Sequence, residues 1–280
     1  MDKFITIPSS DTRYTLYYRD EGVGQPVLLL HGFAEDNTVW DNQVHALSTA
    51  CRLILPDLPG SGRSSALSSP ASVDGRATII TIEGMATIIK GLLDRLNIDK
   101  VTMIGHSMGG YITLAFAALY PQRLTAFGLF HSTAYPDSED KKAARRKAID
   151  FIRTNGSAPF IRQSTPNLFS PVTREHQPQL IEAMIARYSG FIPDSLIAYY
   201  EAMIARPDRT DVLRQSTCPV LFIIGKDDSV IPVQQALEQS YLPSLSHLHL
   251  IPGTGHQAML ENPEMSNQLL RDFINFVSRI

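Results

Sequence analysis

Three side chains in this sequence could together carry out acyl transfer: Ser107, His256 and Asp228. A serine hydroxyl is a weak nucleophile until a base takes its proton and a third group holds that base in the correct tautomer. Ser107 lies in Val101-Thr-Met-Ile-Gly105-His106-Ser107-Met108-Gly109-Gly110, a short apolar β-rich run leading into Tyr111, Leu114, Ala115, Ala118 and Leu119 at helical spacing. A strand that becomes a helix within so few residues strains the turn, and only small neighbours such as Gly105 and Gly109 leave room for it. Among the histidines, His256 has a suitable setting in the glycine-bearing Pro252-Gly-Thr-Gly255-His256. The carboxylate is expected at Asp228 in Gly225-Lys-Asp-Asp228-Ser-Val-Ile-Pro232, with Asp227 as its immediate rival. Acyl transfer also needs two donors for the developing oxyanion. The amide after the nucleophile, Met108, is one; Phe33, in a loop that Gly32 allows to bend inwards, is the other.

The elements that must position these groups are legible as apolar runs. Val27 to Leu30, Leu53 to Leu55, Val101 to Ile104, Phe127 to Phe130, Val220 to Ile224 and, more weakly, Leu248 to Ile251 are continuous rather than alternating, the signature of strands covered on both faces. An antiparallel pair, Phe4 to Ile7 and Tyr14 to Arg19, precedes them. Ile82, Met85, Ile89, Leu92, Leu93 and Leu96 trace one helical stripe; Met265, Leu269, Leu270, Phe273, Phe276 and Val277 trace another, opened by Asn262 as cap and Pro263 in the first turn. Alternation of this kind predicts a mostly parallel sheet flanked by helices, with the His256 and Asp228 loops leaving carboxyl ends of strands, the edge where such sheets build their sites.

Two segments interrupt the alternation. The serine-rich stretch Ser61 to Thr78 is too long for an ordinary connection and reads as a loop. From about Thr133 to Ser216 no buried strand is apparent, only helical patterns such as Leu180 to Tyr188 and Leu196 to Ile204. The organisation expected is therefore a core formed by residues 1–132 and 217–280 and a helical cap, or lid, formed by residues 133–216 after the sixth strand. Phe160, Leu168 and Phe191 in the cap could line a pocket or merely pack it against the core.

Composition narrows the class. With 280 residues, 44% hydrophobic, 19% charged and a formal net charge of -3, the chain has ample core and no basic surplus for nucleic acid or an anionic membrane. The basic cluster Lys141, Lys142, Arg145, Arg146 and Lys147 reads as a solvated helix face. Two cysteines, Cys51 and Cys218, are too few for a disulfide framework, and no run reaches the length of a membrane span, so a cytoplasmic location is expected. No Cys/His/Asp spacing suggests a metal, and no cofactor is expected.

The set His31-Gly32, Asp57-Leu-Pro-Gly60-Ser-Gly62-Arg-Ser64, Gly105-His-Ser107-Met-Gly109, Asp228 with Pro232, and Gly255-His256 with Glu261 and Pro263 resembles the α/β-hydrolase superfamily, in particular its capped serine hydrolases of the carboxylesterase and enol-lactonase kind. Gly-x-Ser-x-Gly alone is a weak pattern; five motifs in order, from about Leu28 to the end of the chain, make a strong one. The resemblance implies Ser107 as nucleophile, His256 as general base and acid, Asp228 as orienting acid, and Phe33 and Met108 as oxyanion donors. It favours Asp228 over Asp227, because in these families the acid stands four residues before the proline. Serine at position 107 argues against the dehalogenases and epoxide hydrolases, which use aspartate there, and His31-Gly-Phe-Ala-Glu departs from the His-Gly-Gly-Pro-Gly of proline iminopeptidases. The expected activity is hydrolysis of a small apolar ester, lactone or thioester. Carbon–carbon bond hydrolysis, perhydrolysis on the same triad, and a slow-turnover ligand receptor are the alternatives. His106 is expected to pack away from Ser107, His31 to brace the oxyanion loop, and His131 to be either structural or pocket-facing.

Overall fold

Among the described residues, eight strands make one sheet in the order β1-β2-β4-β3-β5-β6-β7-β8: β1 (Lys3–Ser9), β2 (Thr12–Glu21), β3 (Pro26–Leu30), β4 (Arg52–Pro56), β5 (Val101–His106), β6 (Leu124–Phe130), β7 (Val220–Gly225) and β8 (Ser246–Ile251). The computed structural model describes residues 3–9, 12–67 and 80–280, so most of the serine-rich stretch expected as a loop lies outside the described residues. Strand β2 pairs antiparallel with both β1 and β4, and the remaining pairs are parallel. Strands β5 and β7 are buried at every position, as continuous apolar runs require. Edge strand β8 is half-buried along most of its length, which explains its weaker sequence signal.

Helices cover both faces. On one side α1 (Asp41–Leu47) packs with the C-terminal helix Pro263–Val277 over Val27, Leu29, Leu53, Leu55, Ile104 and Phe130. On the other, α2 (Ile82–Arg95) and α3 (Met108–Leu119) cover Leu28, Leu30, Ile54, Met103 and Phe127. Trp40 is fully buried against Phe130, with ring centroids 5.3 Å apart, and so belongs to the core. Thr81 caps α2 by accepting from the Gly84 amide, and the Asn262 side chain accepts from the Met265 amide at the start of the last helix.

Between β6 and β7 the chain forms α4 (Glu139–Asn155), α5 (Ser157–Ser164), α6 (Pro171–His176), α7 (Pro178–Tyr188), α8 (Pro193–Ala205) and α9 (Thr210–Arg214). After β7 follow α10 (Val233–Ser240), α11 (Ala258–Glu261) and α12 (Pro263–Val277). The insertion has its own apolar cluster, including Ile152, Phe160, Phe169, Ile181, Met184 and Leu196, which meets the core at Ala34 and Phe33 in the loop after β3. One helix face departs from the sequence expectation: Arg146 and Lys147 are exposed, but Arg145 turns inward and bonds to the buried Asp137. Among the described residues no helix is long and apolar enough to cross a membrane.

Candidate active site

Ser107 is the single residue between β5 and α3, and it is forced to φ 50° and ψ -112°. The left-handed region is costly for a residue with a Cβ, on the order of 1–3 kcal/mol, and persists where surrounding packing demands it. That packing is explicit here. A Cβ on Gly105 would lie 2.1 Å from the Gly109 carbonyl oxygen, and one on Gly109 would lie 2.6 Å from the Leu30 carbonyl oxygen, so the strand and helix can close on each other only through glycine. The Ser107 hydroxyl makes no capping bond to α3, which removes the ordinary reason for a serine at a helix start.

His256 and Asp228 meet on the loops after β8 and β7. The imidazole Nδ1 lies 2.8 Å from Asp228 Oδ2. Oδ1 of the same carboxylate accepts the Val230 and Ile231 amides at 2.8 and 2.9 Å, which fixes its plane. Asp227 is exposed, whereas Asp228 is buried. Burial alone would raise the Asp228 pKa, but the facing imidazoles and their hydrogen bonds hold it well below the usual carboxylate range. With Nδ1 occupied, Nε2 is the ring nitrogen of His256 left for other work, and His256 and Ser107 line one cavity.

That cavity encloses about 770 Å³, including space open to solvent. Phe33, Phe160, Met184, Tyr188, Tyr200 and Met203 make most of its wall aromatic or apolar. The expectation for Phe160 and Leu168 as lining residues agrees with this, while Phe191 packs against Tyr199 instead. The amides of Phe33 and Met108 have no protein acceptor among the described residues, as an oxyanion pair requires. Next to Phe33, Ala34 holds φ 58°.

Behind the cavity wall lies a bonded network that sequence reasoning did not assemble. His106 offers Nδ1 to Glu35 Oε2 at 2.9 Å and Nε2 to the His256 carbonyl at 3.0 Å. Both partners are acceptors, so the geometry favours the charged ring, which donates from both nitrogens. Burial opposes that charge, but the Glu35 carboxylate outweighs it and raises the His106 pKa. Glu35 is likewise buried, yet His106, Gln257 and the Gly32 amide bring its pKa down to about 2. Glu35 Oε2 also accepts the Gly32 amide at 2.6 Å and Oε1 the Gln257 side chain at 2.9 Å, so one carboxylate ties the loop after β3 to the His256 loop. His31 braces the same turn, with Nδ1 2.9 Å from the Gly32 carbonyl and Nε2 accepting the Leu58 amide at 2.9 Å.

Of the two expectations for His131, the structural one holds: it is fully buried and lies outside the cavity lining. Its Nδ1 lies 2.8 Å from Asp228 Oδ2, the same oxygen that His256 uses. Burial pushes its pKa down to about 4 despite that hydrogen bond, and its buried Nε2 has no partner among the described residues, as suits the bare nitrogen of a neutral ring. The ligating atoms of His131, Asp228 and His256 lie within 4.8 Å of one another. Their 2.8 Å contacts are hydrogen bonds that already occupy both Nδ1 atoms. Glu261, present in the sequence only as part of the motif set, accepts the Gly255 and Gln257 amides through Oε1 and the Ser170 amide and Thr173 hydroxyl through Oε2. It thereby fastens the insertion to the histidine loop.

Comparison with known proteins places a chain with this strand order, strained serine and paired histidine. Residues 25–263 match the model of the alpha/beta hydrolase fold. The chain belongs to the α/β-hydrolase family. A 2-hydroxy-6-oxononadienedioate/2-hydroxy-6-oxononatrienedioate hydrolase of Paraburkholderia phymatum is 28% identical, over 97% of this chain and 95% of its own length. The thermophilic esterase of Thermogutta terrifontis superposes with a TM-score of 0.90 at 32% identity, over 99% of each chain. The enol-lactonase of Burkholderia xenovorans LB400 shares the fold, with a TM-score of 0.86 at 22% identity over 98% of this chain and all of its own. Within this α/β-hydrolase Ser107, His256 and Phe33 line one cavity, with Asp228 bonded to His256 behind it and Met108 next to Ser107; of the insertion residues that line it, the sequence points to Phe160 and Leu168.

Proposed function

We propose that this protein is a serine hydrolase that cleaves small carboxylic esters, lactones or thioesters through an acyl-enzyme, with residues 133–216 acting as the cap over its active site. The observation that carries the reading is the juxtaposition of the left-handed Ser107 with an Asp228-bound His256 at one largely apolar cavity. In this mechanism His256 Nε2 takes the Ser107 proton as the hydroxyl attacks the carbonyl carbon. The carbonyl oxygen, now negative, receives the Phe33 and Met108 amides, and Asp228 stabilises the imidazolium through Nδ1. His256 then returns the proton to the departing alkoxide or thiolate. Water repeats both steps on the acyl-enzyme and releases the acid.

Similarity to an esterase at 32% identity over nearly the whole chain supports the ester reading. The Paraburkholderia phymatum relative favours a second one on the same residues. Its named substrate has a ketone and two carboxylates and no ester, so its hydrolysis breaks a carbon–carbon bond. A panel of p-nitrophenyl esters of increasing acyl length, with a lactone, a thioester and a vinylogous diketone, separates them. The ester reading predicts turnover of short acyl esters well above that of the diketone; turnover of the diketone with negligible ester cleavage would replace it.

A further inference from the structure

Among the described residues, the cavity wall contains one cation whose charge the fold does not cancel. Arg145, on α4, lines the cavity, and its Nε lies 2.6 Å from Asp137 Oδ2 with Nη2 3.4 Å from Oδ1. Asp137 is fully buried and is shared: Arg206 Nη2 also donates to Oδ1 at 2.9 Å. Arg206 also donates to the Met203 and Tyr135 carbonyls and lies 3.9 Å over the Tyr111 ring, so that both of its terminal nitrogens are bonded inside the protein and only its buried Nε has no acceptor among the described residues. Two guanidinium groups therefore face one carboxylate, leaving a surplus of one positive charge in a largely buried cluster. The Nη1 group of Arg145 has no acceptor among the described residues. Of the other charged groups around the cavity, Glu35 is paired with His106, and Asp228 is held by hydrogen bonds to the imidazoles of His131 and His256. An unmatched guanidinium among aromatic rings is expensive to leave empty and binds a planar anion well, since its fork suits carboxylate geometry.

We propose that the substrate carries a carboxylate, seated on the open Nη1 edge of Arg145, so that the ester or lactone cleaved at Ser107 is an acidic one. The chemistry of cleavage rests on the ester-hydrolase reading; the carboxylate subsite rests on Arg145, Arg206 and Asp137. Tyr200, whose ring lies 5.3 Å from the Arg145 guanidinium carbon, holds the group from the cavity side. Asp137 holds it from behind, which fixes its orientation before substrate arrives.

The test compares kcat/KM for mono-p-nitrophenyl glutarate and the uncharged p-nitrophenyl butyrate in wild type, R145M and R145K, with R145Q in place of R145M should the latter fail to fold. The acid-to-neutral ratio is expected to fall about ten- to hundredfold in R145M or R145Q, the range for a charge-assisted hydrogen bond, and to be partly retained in R145K. An unchanged ratio in the neutral variants would overturn the proposal. Calorimetric titration of glutarate into S107A and S107A/R145M reads the subsite without turnover. Binding by S107A that the second substitution abolishes supports the proposal, and equal binding or no binding overturns it. If neither ester is cleaved by wild type, the ester reading fails while the titration still decides the role of Arg145.

Discussion

On the sheet side of the cavity, position is enforced by backbone strain and multiple hydrogen bonds, and on the insertion side mainly by apolar packing. Ser107, His131 and Ala34 hold positive φ angles at strand ends, and Glu35, Asp228 and Glu261 each accept three or more hydrogen bonds. Phe160 and Met184 on α5 and α7 are placed by the apolar cluster around them, and Tyr188 adds to that packing a single bond from its hydroxyl to Asp36 Oδ1 at 3.3 Å. A hydrogen bond fixes direction, whereas a packed side chain fixes only volume. Chemistry that needs atoms aligned is therefore expected from the sheet, and selectivity from the insertion.

Substitutions can break that division. The largest effect is expected for H256A, which removes the base: kcat/KM toward a short p-nitrophenyl ester should fall by about 10⁴-fold or more, with D228N close behind because the wrong tautomer is then favoured. A fall of less than tenfold in H256A would place the base elsewhere. Next is G105A, whose Cβ would meet the Gly109 carbonyl at 2.1 Å; loss of more than about 4 kcal/mol in chemical denaturation, or no soluble protein, is expected. Wild-type stability in G105A would mean that the strand and helix do not close as tightly as described.

A smaller effect concerns His131 and pH. Its folded pKa of about 4 lies below the ordinary imidazole value, so on acidification the unfolded chain takes up a proton that the fold refuses. The stability contribution is thus complete above about pH 6.5 and is lost as pH falls toward 4. In thermal melts across that window H131N should lose less stability than wild type. Identical pH slopes would mean that His131 titrates normally. The smallest effect is expected from the insertion: F160A or M184A should shift acyl-length preference by up to about tenfold through KM, with kcat nearly kept. A collapse of kcat in either variant would erase the contrast between the two walls.

The same contrast explains what the sequence could disclose. Strand-end motifs are short, local and rich in glycine, so Ser107, Asp228, His256, Phe33 and Met108 could be named from spacing and from resemblance, and Asn262 as a helix cap from its proline neighbour. The choice between Asp227 and Asp228 turns on which carboxylate faces inward, and Asp228 does. His131 was ambiguous because its partner lies 97 residues away, and Glu35, His106 and Gln257 form a network only once three loops converge. Arg145 was concealed in a charged helix face, since helical spacing alone does not tell which cation turns toward Asp137. The insertion between β6 and β7 shows the same limit: its helices are readable, but the wall it makes depends on packing angles that no local pattern encodes.

The most direct test of the account is covalent. Incubation with a fluorophosphonate, followed by peptide mass spectrometry, should find one adduct, on the peptide carrying Ser107, with S107A unlabelled and H256A labelled far more slowly. An adduct on any other residue, or labelling of S107A at the wild-type rate, would contradict Ser107 as the nucleophile.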